Sequence, residues 1–238
     1  MTPTAQPHRL RTAADIARDV GELPGGATLK VKYALDRVLG AAALSALAPA
    51  FAAIALAVKL EDGGPVFFMQ QRPGLGGVPF GVYKFRTMIV NADDYVDARG
   101  RPTRSRITRI GRWLRRTSLD ELPQVINIAK GQMSFIGPRP PLMIHLQRYT
   151  PAQMRRFRMK PGITGLAQVS GRNTLRWSER LRLDNLYIDT WSLGADAAIL
   201  LRTVKVVLMR EGVVDDRNPG EVDDLASPGQ WQAEEPQP

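Results

Sequence analysis

The chain has no cysteine and only two histidines, His8 and His145, in 238 residues. Those scarcities exclude disulfides, thiolate nucleophiles, zinc ribbons and paired-histidine metal centres. A Ser-His-Asp arrangement would have to use His145, and a lone histidine is ordinarily structural. Acidic residues are also scarce over most of the chain. The net charge is +10, and the stretch from Asp215 onward holds seven acids against Arg217 alone, so the body upstream carries +16. An excess of that size points to a polyanionic partner: nucleic acid, an anionic membrane surface or a phosphorylated substrate. Any chemistry falls to carboxylates, lysines and arginines. No secretory signal is expected, because the first apolar run comes late and lacks a cleavage site.

Charge of either sign is missing from residues 38–58, a run of 21 between Arg37 and Lys59. As one helix it measures about 31 Å, enough for a hydrocarbon core of ~30 Å. Pro49 sits near its centre, where a straight helix loses about 3 kcal/mol. Ser45 is expected to re-satisfy part of the freed backbone. Basic residues flank the run on both sides: Arg9, Arg11, Arg18, Lys30, Lys32 and Arg37 before it, Lys59, Arg72, Lys84 and Arg86 after it. That symmetry gives no orientation for a span and suits a segment that enters and leaves by one face. The expectation is a re-entrant helix–break–helix over 28–60 with its break at Pro49. Its first arm, 38–48, would reach about 16 Å, roughly half the core.

The remaining pattern predicts an α+β fold, mostly helical, with a small β-hairpin and amphipathic interfacial helices. Residues 1–27 form a partly disordered N-terminal segment with a short helix around 12–20. Strands at 66–70 and 80–85 are joined by the Pro73-Gly74-Leu75-Gly76-Gly77 loop, whose glycines do not match a phosphate-binding spacing. A polar loop covers 91–105. A basic amphipathic helix covers 107–116, with Trp113 either an interfacial anchor or an ordinary core tryptophan beside a solvated basic face. Another helix starts at Asp120 and stops at Gly131. Residues 142–160 are expected to be helical, 163–170 extended, 171–173 a turn, and 180–187 and 194–210 helical. Residues 211–238 form an acidic tail expected to be disordered. A catalytic domain would then occupy 61–210.

Chemistry concentrates in Arg115-Arg116-Thr117-Ser118-Leu119-Asp120-Glu121-Leu122-Pro123-Gln124. Two adjacent carboxylates follow a cluster of arginines at a helix start, where the helix dipole and nearby guanidinium groups keep Asp120 ionised. Such a carboxylate can bind Mg²⁺ or attack phosphorus. The same residues also read as a capping box, Ser118-x-x-Glu121, with no chemistry at all. Further on, prolines on both sides of Arg139 stiffen its backbone, which suits either an oxyanion clamp or a structural turn.

Taken together, Gly64-Pro65-Val66-Phe67-Phe68, Tyr83-Lys84-Phe85-Arg86-Thr87-Met88, Ser118-Leu119-Asp120-Glu121-Leu122, Met133-Ser134-Phe135-Ile136-Gly137-Pro138-Arg139-Pro140 and Lys160-Pro161-Gly162-Ile163-Thr164-Gly165 resemble the bacterial sugar transferases, the monotopic phosphoglycosyl transferases. The resemblance covers about 30–207. It implies transfer of a sugar 1-phosphate from a UDP-sugar to polyprenyl (undecaprenyl) phosphate with release of UMP, the initiating step of bacterial glycoconjugate synthesis. It further implies a Mg²⁺ cofactor, a re-entrant segment in the inner membrane and a catalytic domain on the cytoplasmic face.

Carried over, Asp120 is the nucleophile and Glu121 a metal or orienting group, the pair serving as the metal ligands. Arg86 and Arg139 are phosphate clamps, with Lys59, Arg112 and Asp184 as further substrate-binding candidates. Anionic lipids are expected as partners and nucleic acid is not. No multi-span domain precedes the match, so a short form of the family is expected. Where the family often has serine before the membrane proline, this chain has Ala48. Two other readings are a basic nucleic-acid-binding protein and a non-catalytic membrane scaffold. The uncharged run counts against the first and the intact Asp120-Glu121 pair against the second.

Overall fold

The computed structural model describes residues 11–95, 105–171, 174–209 and 224–225. The expected disorder of the acidic tail therefore lies outside the described residues, apart from Asp224 and Leu225. The start of the N-terminal segment, most of the polar loop after Tyr95 and the turn residues Arg172 and Asn173 lie outside them too.

The chain divides into two compact units. The first draws on the described parts of Met1–Tyr33, Gln71–Phe80 and Gln132–Pro238, and the second on Ala34–Gln70 and Gly81–Gly131.

Helix α1, Ala13–Val20, starts where expected, because Thr12 and Asp15 form a reciprocal capping box. Helix α2, Ala27–Asp62, contains Pro49 within a single assigned helix of 36 residues. The expected break is thus not a separation into two helices. The hydroxyl of Ser45 donates to the carbonyl of Ala41 at 3.2 Å, so it does not supply the freed backbone with the donor expected of it. Strands β1, Phe67–Pro73, and β2, Pro79–Phe85, form the hairpin, and a 3-10 turn at Leu75–Gly77 joins them.

In the second unit, helix α3, Arg109–Thr117, is capped by Thr108, whose hydroxyl accepts from the Gly111 amide. Ile107 is not helical; it pairs with Met88 in an isolated bridge. Helix α4 covers Gln124–Ala129. The core of this unit is Ile54, Val58, Phe85 and Leu114, with Phe51, Val66, Ile110, Leu119 and Leu122 packed on it. Helix α2 approaches α4 closely at Gly40, where a Cβ would meet the Ile128 side chain at 2.9 Å and the Ala129 nitrogen at 3.0 Å.

In the first unit, β3, Ser134–Ile136, pairs in parallel with β4, Gly162–Thr164. The sequence reading missed this second sheet and extended its second strand to 170. In fact 166–170 form α6, and α5 is the short Pro151–Met154. Gly165 lets the chain turn from strand to helix against Gly137, since a Cβ there would lie 2.2 Å from the Gly137 carbonyl oxygen.

The expected continuous helix at 142–160 is instead a series of short turns around α5. Pro151 lies in the middle of that stretch and opens α5 at its first turn, with Thr150 as the N-cap, so no helix runs through it. Helices α7, Trp177–Asp189, and α8, Leu193–Met209, complete the unit.

Candidate active site

The carboxylate pair lies in the second unit, on a structure tighter than the helix start expected for it. Helix α3 ends at Ser118, which adopts the left-handed conformation at φ 58° and makes no side-chain cap bond. The capping-box reading of Ser118 and Glu121 is therefore overturned, and the left-handed serine costs of order 1 kcal/mol. A single 3-10 turn, Leu119–Glu121, follows before α4 begins. Three residues per turn put Leu119 and Leu122 on one side and turn Asp120 and Glu121 away from it. The two leucines pack on the core of the unit. The two carboxylates are left half-buried.

Lys84 of β2 supplies the counter-charge, its Nζ lying 2.7 Å from Glu121 Oε1 with both side chains about one-fifth exposed. The pairing depends on how β2 is tied to α4. The fully buried Asn127 accepts from the Tyr83 amide at 3.0 Å and donates to the Gly81 carbonyl at 2.7 Å. Lys130 donates to the Tyr83 hydroxyl at 2.9 Å and lies over its ring. The alternation of β2 fixes which way Lys84 points, and Asn127 fixes which helix end it meets.

Arg86, expected as a phosphate clamp, is engaged with protein groups in this structure. It forms a bidentate pair with Asp62 and donates to the carbonyls of Pro65 at 2.6 Å and Met88 at 2.9 Å. The Arg86 hydrogen bonds hold the Asp62 carboxyl down at about 2. Lys59 donates to the carbonyl of Gly63 at 2.6 Å and closes the turn after α2. Glu61 accepts the amides of Arg109 at 2.6 Å and Ile110 at 3.1 Å, so an anion sits on the N-terminus of α3. Arg112 and Trp113 are exposed on α3.

Arg139 and Asp184 belong to the first unit. Arg139 is exposed between its prolines. Asp184 is 2% exposed and ion-paired with Arg156 at 2.6 Å, so it faces protein and not solvent. Burial pushes its carboxyl up to about 6 although Arg156 pulls the other way. Sequence reasoning missed Asp62, Glu61 and Arg156 because nothing local marks them. Lys84 was visible as one of the basic residues after the uncharged run and within the Tyr83–Met88 motif.

The Leu119–Glu121 turn, with a lysine across from it, lies in a chain whose described residues include one long apolar helix. The chain belongs to the bacterial sugar transferase family, whose sequence model matches residues 27–210. Among individual proteins it is similar to an uncharacterized sugar transferase, EpsL, of Bacillus subtilis (strain 168), with 50% identity over 158 residues, 66% of this chain and 76% of the relative. It is 44% identical over 200 residues to a UDP-glucose:undecaprenyl-phosphate glucose-1-phosphate transferase of Caulobacter vibrioides, which is 80% of this chain and 74% of that protein. An undecaprenyl-phosphate galactose phosphotransferase of Salmonella typhimurium is 43% identical over 167 residues, 64% of this chain but 35% of the longer relative.

Proposed function

We propose that the chain transfers a sugar 1-phosphate from a UDP-sugar to polyprenyl phosphate, releasing UMP, with the Asp120 carboxylate as nucleophile. The observation that carries this reading is the Leu119–Glu121 turn, which presents two carboxylates with Lys84 paired to the second. Asp120 attacks the phosphorus that bears the sugar. The bond from that phosphorus to the bridging oxygen breaks, UMP leaves, and an aspartyl-phosphosugar remains. An oxygen of polyprenyl phosphate then attacks the same phosphorus and returns the carboxylate, giving a polyprenyl diphosphate sugar. Splitting the transfer lets a water-soluble donor and a lipid acceptor use one site in turn. Lys84 holds Glu121 in place and offsets charge beside the attacking group. Arg139, exposed and stiffened by its prolines, is assigned to the donor phosphates.

Mg²⁺ fits the donor set of this turn. Among the described residues no cluster of three or more acidic or histidine ligands forms an all-protein cage. Mg²⁺ typically takes one or two carboxylates and completes its shell with substrate phosphates and water. Asp120 and Glu121 would hold the ion, whose contribution when bound is neutralisation of the diphosphate.

The membrane attachment belongs to this proposal too. No residue from 41 to 53 of α2 is buried, while Gly40, Ile54 and Val58 at either end are packed on protein. Only 11% of the most apolar stretch of α2 is buried, unlike a core helix. The section without a buried residue measures about 20 Å at 1.5 Å per residue, short of a ~30 Å core. Before it, Lys32 pairs with Asp196 at 2.7 Å and the Tyr33 hydroxyl accepts from the Lys160 amide at 3.1 Å. Residues 160 and 196 come after α2 in the chain, and α2 alone among the described helices is long and apolar enough to cross a membrane. A spanning α2 would separate these partners on opposite sides of the bilayer. A shallow, re-entrant insertion around Pro49 keeps them together, and the basic flanks favour the cytoplasmic face.

The test is UMP release in bilayer nanodiscs with polyprenyl phosphate and a panel of UDP-sugars beginning with UDP-glucose and UDP-galactose. Asp120→Asn is expected to lower turnover by about 10³-fold or more and to abolish the labelled sugar-phosphate adduct on the protein. An adduct that persists in this variant removes Asp120 from the role of nucleophile.

A further inference from the structure

The segment ahead of residue 27 lies outside the family match, yet it is built into the first unit. Val20 is 1% exposed, in a cluster with Leu146, Tyr149, Met154, Phe157 and Leu181. At the head of the segment is Arg11, itself buried. It forms an ion pair with Asp19 at 3.2 Å, both side chains being less than one-twentieth exposed. Its Nη1 donates to the carbonyls of Leu146, at 2.7 Å, and Tyr149. Its amide donates to Gln147 Oε1 at 2.7 Å. A buried guanidinium costs free energy unless it is paired, so Arg11, held by Asp19 of α1 and by the carbonyls of Leu146 and Tyr149, couples α1 to the 146–149 segment.

The contacts continue from there toward Arg139. The Tyr149 hydroxyl accepts from Arg156 Nη1 at 3.0 Å, and the Arg156 guanidinium lies over the Tyr149 ring. Arg156 Nη2 donates to the backbone carbonyl of Arg139 at 2.7 Å and pairs with Asp184 at 2.6 Å. Each link in this chain is buried or partly buried, so a shift at one end is not absorbed by solvent.

We infer that Arg11 is a positioning residue for Arg139, acting through Tyr149 and Arg156, and that residues 11–21 are a working part of the donor-binding apparatus of this chain. The inference rests on the assignment of Arg139 to the donor phosphates. Arg11 touches no substrate. It restricts where the backbone of Arg139 can sit, and with it the reach of the guanidinium toward a diphosphate.

The test has two readouts on the full chain in nanodiscs. Hydrogen exchange at the Gly137 and Arg139 amides reports the segment without any reaction. Affinity for UDP, which every UDP-sugar donor contains, reports the clamp. Arg11→Gln should speed exchange at both amides and weaken UDP by about tenfold, since small misplacements of a positioned group carry costs of that size. Combined with Arg139→Lys it should weaken UDP no further than Arg139→Lys alone, because the two act in series. Arg11→Lys, which keeps a cation beside Asp19, should recover most of the affinity.

Unchanged exchange in Arg11→Gln overturns the inference, and so does a UDP loss that simply adds to that of Arg139→Lys. Should Arg11→Gln fail to fold, Tyr149→Phe, which cuts the link to Arg156, with exchange and UDP affinity both at wild-type values overturns it instead. Faster exchange in a protein whose wild type does not bind UDP leaves the positioning intact and removes the donor assignment.

Discussion

In the second unit Asp62 meets Arg86 at the end of α2, with the carboxylate side chain about one-fifth exposed. In the first, Asp184 meets Arg156 in the interior, each side chain 3% exposed. The chemistry of the two pairs is the same, yet their carboxyls are driven in opposite directions, to about 2 and about 6. Water makes the difference. Asp62 keeps enough solvent that the Arg86 hydrogen bonds decide its state, while Asp184 has lost so much hydration that desolvation outweighs an arginine 2.6 Å away. The first pair is a latch that gains from ionisation. The second is a buried joint whose value lies in what Arg156 also holds, the Tyr149 hydroxyl and the Arg139 carbonyl.

The hardest way to break that contrast is to remove one partner of the buried pair. Asp184→Ala leaves Arg156 charged and unmatched in the interior and is expected to cost about 3–5 kcal/mol in denaturant unfolding. Asp62→Asn should cost less, about 1–3 kcal/mol, because the neutral amide can still accept from Arg86.

Titration sharpens the comparison further, with opposite signs. The Asp62 carboxyl lies below its ordinary 3.8, so its contribution is present above about pH 4 and is lost as pH falls through about 2. The Asp184 carboxyl lies above 3.8, so its contribution is full below about pH 4 and is lost as pH rises through about 6. Unfolding curves taken from pH 2 to 7, with Asp62→Asn and Asp184→Asn as references, should show the two differences sloping opposite ways. Parallel slopes would mean that both pairs are equally solvated. The smallest effect belongs to the exposed Glu179–Arg182 pair on α7. Glu179→Gln should leave the melting temperature unchanged within error, as surface pairs generally do.

Much of the backbone was legible from local signals. The short helix around 12–20 was expected, Gly131 marked the region where α4 ends, and the Gly-rich run the hairpin turn. Period misled where a proline restarts the chain inside a periodic stretch, as Pro151 does at α5. It misled again where five residues after Gly165 coil into α6. The Asp120-Glu121 pair was visible from its composition and neighbours. Its setting was not, because the left-handed Ser118 and the 3-10 turn come from Leu119 and Leu122 seeking the core.

What the sequence by itself determined is the apolar stretch around Pro49, the placement of the carboxylates next to one another, and the helix starts and stops within reach of a few residues. Only the tertiary structure decided which charges meet. Arg86 finds Asp62 24 residues away, Lys84 finds Glu121 37 away, and Lys32 finds Asp196 164 away. The reason is physical. Backbone preference and capping act over one or two turns, whereas an ion pair between distant residues forms only where packing has already brought two elements together and excluded water from between them.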